Sequence, residues 1–183
     1  MYKVLSIRRI AHRRSLTTAP HRDLLTLALL KPDLLADPQT VERIVEEIRR
    51  TPGLQIVESA QLFWTREQAE KFYDEHRGRF FYNRLVDYMT SGPMQALALR
   101  GPQAITKWRE MMGSTHPVRM RVLNGACLRA RYGLTDTRNG ACLRARYGLT
   151  DTRNSFHGSD SPASAARELA FVFGKQTLEE LES

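Results

Sequence analysis

Leu24-Leu25-Thr26-Leu27-Ala28-Leu29-Leu30, stopped by Lys31-Pro32-Asp33, is the stretch from which the fold is read. Seven nearly unbroken apolar residues are too few for a core helix and suit a buried strand with polar chemistry at its end. Downstream, Asp37-Pro38 supplies an N-cap and a proline at the first helical position. Val41, Ile44, Val45 and Ile48 then recur at helical spacing, and Gly53 ends that helix. Leu54–Phe63 reads as a second strand. Thr65-Arg66-Glu67-Gln68 matches a capping box and opens another helix. A short aromatic-rich helix is expected over Phe81–Met89, broken by Ser91-Gly92-Pro93. Met94–Leu99 makes a third strand, and Pro102–Met112 a helix closed by Gly113. After a long loop, Tyr147–Arg153 reads as the fourth strand. Ser161-Pro162 opens a last helix that turns Ala166, Leu169, Ala170 and Phe173 toward a core. The order β-α-β, helices, β-α-β points to an α/β (α+β) sandwich of helices on one sheet, ferredoxin-like in type.

The 183 residues suit one compact domain with a short extension. Two cysteines, Cys127 and Cys142, are too few for a disulfide framework. No apolar run approaches the roughly 20 residues that span a bilayer. The net charge of +8 suggests nucleic acid at first, but its location argues otherwise. Residues 1–22 hold Lys3, Arg8, Arg9, Arg13, Arg14 and Arg22 and no acid. With that leader and one duplicated segment set aside, the body is electrically balanced, so nucleic acid is not expected as the main partner. The leader also carries Ser15, Thr17 and Thr18 among apolar residues, and lacks the apolar centre of a secretory signal. It fits a mitochondrial transit peptide, the alternative being a basic tail with no address. The division expected is a leader over 1–22, a domain over 23–175 and a tail over 176–183.

Gly125–Asn139 and Gly140–Asn154 both read GACLRARYGLTDTRN. Solenoid repeats are longer, diverge and come in three or more copies. One perfect tandem copy reads instead as a recent duplication, an engineered insertion or a sequence-assembly error.

The densest polar cluster is Asn154-Ser155-Phe156-His157-Gly158-Ser159-Asp160-Ser161. A histidine beside glycine is sterically open, and a helix start follows, whose amides favour an anion. A neutral imidazole nitrogen is a competent nucleophile toward phosphorus, with an adduct labile enough to pass on. Glu168, on the following helix, is placed to hold the other ring nitrogen. Lys31, Arg109, Thr115, Arg144 and Asn154 sit at strand and helix ends where phosphoryl transfer needs charge and hydroxyls. There is no P-loop pattern and no G-x-G-x-x-G, so side chains would hold the phosphate.

The cluster Asn154–Asp160 resembles the nucleoside diphosphate kinase signature N-x-x-H-G-S-D. Leu27–Asp33 (LALLKPD) resembles that family's first strand with its lysine. Phe72-Tyr73, Arg79-Phe80-Phe81 and Ser91-Gly92-Pro93 resemble its helical hairpin, and Trp108-Arg109, Met112-Gly113 and Thr115 its next phosphate-binding stretch. The likeness runs from about Leu24 to Phe173, and GLTDTRN resembles the divergent mitochondrial subgroup. It implies a βαββαβ sandwich with an antiparallel sheet and an inserted helical hairpin. It implies ping-pong transfer of the terminal phosphate between nucleoside triphosphates and diphosphates through a phosphohistidine. His157 would take the phosphate, Lys31 and Tyr73 would support it, and Phe81 would stack on the base. Arg109, Thr115 and Arg144 would bind phosphates, Asn154 the sugar, and Ser159 and Glu168 would serve His157. Mg2+ would bridge the nucleotide phosphates with few protein ligands and no protein metal site of its own. A homo-oligomer or a mitochondrial protein partner is compatible with the family. The alternative function is a weak or inactive kinase-like protein that acts as a mitochondrial interaction partner.

The duplication disturbs one spacing. Thr115 lies 14 residues before Arg129 but 29 before Arg144. The second copy is the one joined to His157, so Arg144 and Asn154 are the copies expected in the site.

Overall fold

The computed structural model describes residues 23–113, 115, 142–150 and 152–182. The leader 1–22 and the first copy of the duplicated segment, with Cys127 and Arg129, lie outside the described residues. Strand β1 (Leu24–Leu30) is followed by α1 (Pro32–Leu35), α2 (Pro38–Arg50) and β2 (Gln55–Leu62). Then come α3 (Arg66–Phe72), a 3-10 turn (Asp74–His76), α4 (Tyr82–Met89) and β3 (Met94–Gly101). Helices α5 (Ala104–Met112) and α6 (Leu143–Tyr147), strand β4 (Phe156–Gly158) and helices α7 (Pro162–Phe173) and α8 (Lys175–Glu182) complete the described order.

The four strands form one antiparallel sheet in the order β2-β3-β1-β4. With α3 and α4 inserted between β2 and β3, this is the ferredoxin-like βαββαβ sandwich expected. The central strands explain the apolar run in β1. Leu27 and Leu29 pack with Phe72, Val86, Met89 and Leu169 on one face, while Ala28 and Leu30 pack with Ile44, Ile48, Trp108 and Phe156 on the other. Both faces are therefore covered, which is why β1 shows no polar alternation.

The local signals at the helix starts hold. Asp37 accepts from the Gln39 amide at 3.1 Å, and Thr65 and Gln68 close a reciprocal capping box. One reading is corrected. The fourth strand is not Tyr147–Arg153: Leu143–Tyr147 is a helical turn, the described residues 148–150 and 152–154 carry no strand, and β4 is Phe156–Gly158, with His157 opposite Leu29. The segment expected as a tail carries α8, whose Leu178 and Leu181 pack on the core and whose Leu181 carbonyl accepts from Arg100. Among the described residues no helix is long and apolar enough to cross a membrane.

Candidate active site

Strand β4 carries His157 along the edge of β1, and the backbone just before it is unusual. Ser155 is fully buried with φ 67°, a left-handed conformation that costs a non-glycine residue of order 1 kcal/mol or more. Two contacts hold it there. The Lys31 amide donates to the Ser155 carbonyl at 2.9 Å, and the Ser155 hydroxyl donates to Asp33. Asp33 also accepts from the Tyr88 hydroxyl. The Lys31-Pro32-Asp33 corner of β1 thus fixes the turn that aims Asn154 and His157.

Gly158 serves a different purpose from the one its place beside histidine suggests. A Cβ there would meet Trp108 Cδ1 at 2.5 Å, so glycine lets the indole close on β4. Trp108 Nε1 then donates to the His157 carbonyl at 3.0 Å and anchors the strand. The helix start after the motif also differs from expectation. The first turn of α7 is capped by its own Ser161 and Ser164, and it does not line the cleft. What α7 supplies is Glu168, two turns along. Glu168 Oε2 lies 2.9 Å from His157 Nε2 and accepts from the Ser159 hydroxyl at 2.8 Å. The Leu27 amide in turn donates to Ser159 Oγ at 3.2 Å. The carboxylate therefore places the proton on Nε2 and leaves the Nδ1 lone pair free. The rings of Phe72 and Tyr73 flank the imidazole edge-on, with centroids 5.2 and 6.0 Å away.

In front of His157 opens a cleft of about 900 Å³. Lys31, Tyr73, Phe81, Thr115, Arg144 and Asn154 all line it with His157, so seven of the ten expected site residues share one space. Ser159 and Glu168 stand behind the histidine. Arg109 is on the exposed side of α5, close enough for its charge to act on Arg144 and Asp160, but it is not among the lining residues.

The electrostatics are those of a place short of anions. Lys31 is 4% exposed, and its Nζ donates to Asn154 Oδ1 at 2.9 Å. Burial, with Arg144 nearby, pushes its pKa down to about 7, against a smaller opposite pull from Asp33. Arg144 is drawn down to about 10 by burial and by Arg109. Its guanidinium donates to the Gly113 carbonyl at 2.6 Å and the Phe156 carbonyl at 3.0 Å, while its Nε has no partner among the described residues. The buried Tyr73 hydroxyl likewise has no partner among them, and burial pushes its pKa up. Two crowded cations and an unpaired hydroxyl are the complement of a polyphosphate. Arg144 and Asn154 both come from the second copy of the duplicated segment.

Sequence reasoning missed His76, Phe80, Arg84, Leu85, Thr150 and Thr152, which also line the cleft. A signal existed for one of them: Leu85 lies four residues after Phe81, the N-cap of α4, which puts both on one side of that helix. The two threonines were hidden by the misplaced fourth strand.

Comparison with known proteins agrees with this geometry. The family model "Nucleoside diphosphate kinase" matches residues 25–141 and again 135–178, the two stretches overlapping inside the duplicated region. The chain is 44% identical over 156 residues to nucleoside diphosphate kinase 6 of Danio rerio, covering 85% of this chain and 79% of that protein. It is 43% identical over 159 residues to its human namesake, covering 87% and 77%. It is 40% identical over 153 residues to a nucleoside diphosphate kinase of Psychromonas ingrahamii, covering 84% and 92%. A solved nucleoside diphosphate kinase of Aquifex aeolicus superposes with a TM-score of 0.67 at 32% identity, covering 82% of this chain and 95% of that one. The Encephalitozoon cuniculi enzyme, at TM-score 0.66 and 24% identity, shares the fold over 82% of this chain and 89% of its own. The chain belongs to the nucleoside diphosphate kinase family.

Proposed function

We propose that the chain transfers the terminal phosphate of a nucleoside triphosphate to a nucleoside diphosphate by a ping-pong cycle through His157, inside mitochondria. The observation that carries the reading is the relay Ser159–Glu168–His157 behind a cleft lined by Lys31, Tyr73, Arg144 and Asn154. In the first half-reaction the Nδ1 lone pair attacks the terminal phosphorus. An N–P bond forms, the bridging P–O bond breaks, and its electron pair leaves on the diphosphate oxygen. Glu168 accepts from Nε2–H and offsets the positive charge that grows on the ring. Lys31, Arg144 and the Tyr73 hydroxyl supply donors to the phosphate oxygens. The second half-reaction reverses these steps with another diphosphate as acceptor.

The described lining of the cleft holds no carboxylate, and among the described residues no group of three or more acidic, histidine or cysteine side chains is placed to hold a metal. Magnesium fits such a site as an ion carried by the nucleotide's own phosphates, where it spreads their charge. In this reading Phe81, at the mouth, stacks on the base, and Asn154, bonded to Lys31, meets the sugar.

The test is incubation of the full chain with terminally labelled ATP and magnesium. Acid-labile label on the protein is expected, discharged by added nucleoside diphosphate and lost in His157→Ala. Labelling that survives in His157→Ala would place the nucleophile elsewhere. No label on a folded, nucleotide-binding chain would favour the alternative of an inactive kinase-like partner protein.

A further inference from the structure

Helix α6 holds Arg144 in a place that disfavours it. Burial penalises the charge, and Arg109 and Lys31 press like charge upon it. A helix of five residues does not persist by itself, because the unfavourable nucleation of its first turn is followed by almost no propagation. Its N-cap, Cys142, adds no side-chain cap. Neighbouring elements must therefore hold it in place. Leu143 supplies part of the hold, buried in the core cluster of Ile44 and Trp108. Another part comes from the side away from the cleft. Arg146 Nη2 reaches both carboxylate oxygens of Glu47, on α2, at 2.5 and 2.6 Å. The Arg146 guanidinium also lies 5.4 Å over the Tyr147 ring, whose centroid is 6.4 Å from that of Phe156.

Two residues along a helix is a turn of about 200°, so Arg144 and Arg146 project to opposite sides of α6. Arg144 lines the cleft, and Arg146 reaches out to α2. The other described ion pairs of α2 stay within it or at its N-cap: Arg43 with Asp37, and Arg49 and Arg50 with Glu46. Among the described residues, the Glu47 pair is the one that joins α2 to another element. The Arg146 side chain is 22% exposed and that of Glu47 40%, so solvent screens this pair less than it screens a fully exposed one. We propose that Glu47 is a positioning residue: it docks the second copy of the duplicated segment on α2 through Arg146, and so sets Arg144 in the cleft that receives the nucleotide phosphates. The proposal rests on the nucleotide-binding part of the function above. Both copies carry this arginine, Arg131 in the first and Arg146 in the second, so Glu47 offers one dock to two candidates.

Charge reversal tests the dock on the full-length chain, with equilibrium binding of GDP as the readout. Glu47→Arg should lower the affinity roughly tenfold, through loss of the one charge-assisted contact that Arg144 makes. Glu47→Gln, which keeps the shape of the side chain and removes its charge, should lower it less. Adding Arg146→Glu to Glu47→Arg should restore the affinity, whereas adding Arg131→Glu should not. Arg144→Ala in the Glu47→Arg background should lower it no further, because the arginine has already left the cleft. An ion pair that serves stability alone would move the melting temperature and leave these affinities unchanged. An unchanged affinity in folded Glu47→Arg would therefore overturn the proposal. So would additive losses from Glu47→Arg and Arg144→Ala, failure of Arg146→Glu to restore binding, or restoration by Arg131→Glu in its place. If Glu47→Arg does not fold, Glu47→Gln with and without Arg144→Ala gives the same additivity test. A chain that binds GDP in the expected pattern but takes no label from ATP keeps the dock and defeats the transfer reading alone.

Discussion

Lys31 shows most directly how a single residue is tuned by its surroundings. It is buried at the end of a strand, donates to Asn154 Oδ1, and faces another cation. Its folded pKa of about 7 lies below the ordinary 10.5, so between those values the unfolded chain holds a proton that the folded one lacks. Stability contributed through this group is therefore greatest at high pH and declines as pH falls from 10.5 toward 7. A bound polyphosphate reverses the balance, because an anion within reach favours the ammonium. Nucleotide binding at pH 8 should take up a proton, approaching roughly one per site, and affinity should weaken as pH rises above 7. Calorimetry of GDP binding in two buffers of different ionisation heat reads the uptake. It should disappear in Lys31→Met. Uptake that persists in that variant would assign the proton to another group, and equal heats in both buffers would mean that Lys31 is already charged in the free protein.

At the scale of elements, the site depends on two short pieces that the sequence barely announces. Helix α6 spans five residues, and β4 only three. Residues 147–153 read as a strand because Tyr147, Thr150 and Thr152 are residue types that strands favour. The segment before them, Leu143-Arg144-Ala145-Arg146-Tyr147, consists mainly of good helix formers, and Leu143 is buried beside Trp108 in one core cluster while Arg146 Nη2 reaches both Glu47 oxygens at 2.5 and 2.6 Å. Tertiary partners settled the matter, as they do for short segments. β4 was hidden for the opposite reason: its residues lie in a polar motif with no period, and they become a strand only by pairing with β1. The long signals, a seven-residue apolar run, a capping box and an Asp-Pro helix start, were legible because each is decided locally. The site residues were legible as a motif, but the mouth was not, since it depends on which loop faces α4. Helix α6 also carries a prediction about the duplication. Arg144 donates to the carbonyls of Gly113 and Phe156 and lines the cleft, so the second copy supplies the arginine. Arg144→Ala should weaken nucleotide binding about tenfold more than Arg129→Ala, from the loss of one charge-assisted contact. Equal losses in a binding titration would mean that the two copies exchange in the slot, and a larger loss in Arg129→Ala would reverse the assignment.

Across the whole molecule, the charge divides into a basic leader, one basic duplicated segment and an otherwise balanced body, and the leader and the duplication each make a claim of their own. Residues 1–22, with six basic side chains and no acid, should carry a fused reporter into mitochondria, and a chain starting at Asp23 should keep the phosphate transfer proposed for the full chain. A cytosolic reporter signal would refute the address without touching the transfer reading. The duplication is the larger question, because it adds 15 residues between Thr115 and Arg144, both of which line the cleft. Removing either copy yields the same protein, since the copies are identical. The geometry at the ends of the intervening segment indicates that the shorter chain still closes. A Cβ on Gly113 would lie 2.2 Å from Cys142 Sγ, so the two ends of that stretch already touch. A segment whose ends meet needs little length, and loop-closure entropy changes by less than about 1 kcal/mol when its length is roughly halved. The arginine would then lie 14 residues after Thr115 and keep its contacts with Gly113 and Phe156. The shortened chain should accordingly melt at the same temperature or up to about 4 °C higher. It should form the phosphoenzyme at least as fast as the long one. A lower melting temperature would show that the extra residues make contacts on which the fold depends. Activity that appears only after the deletion would assign the interaction-partner reading to the full-length chain and the kinase reading to its single-copy form.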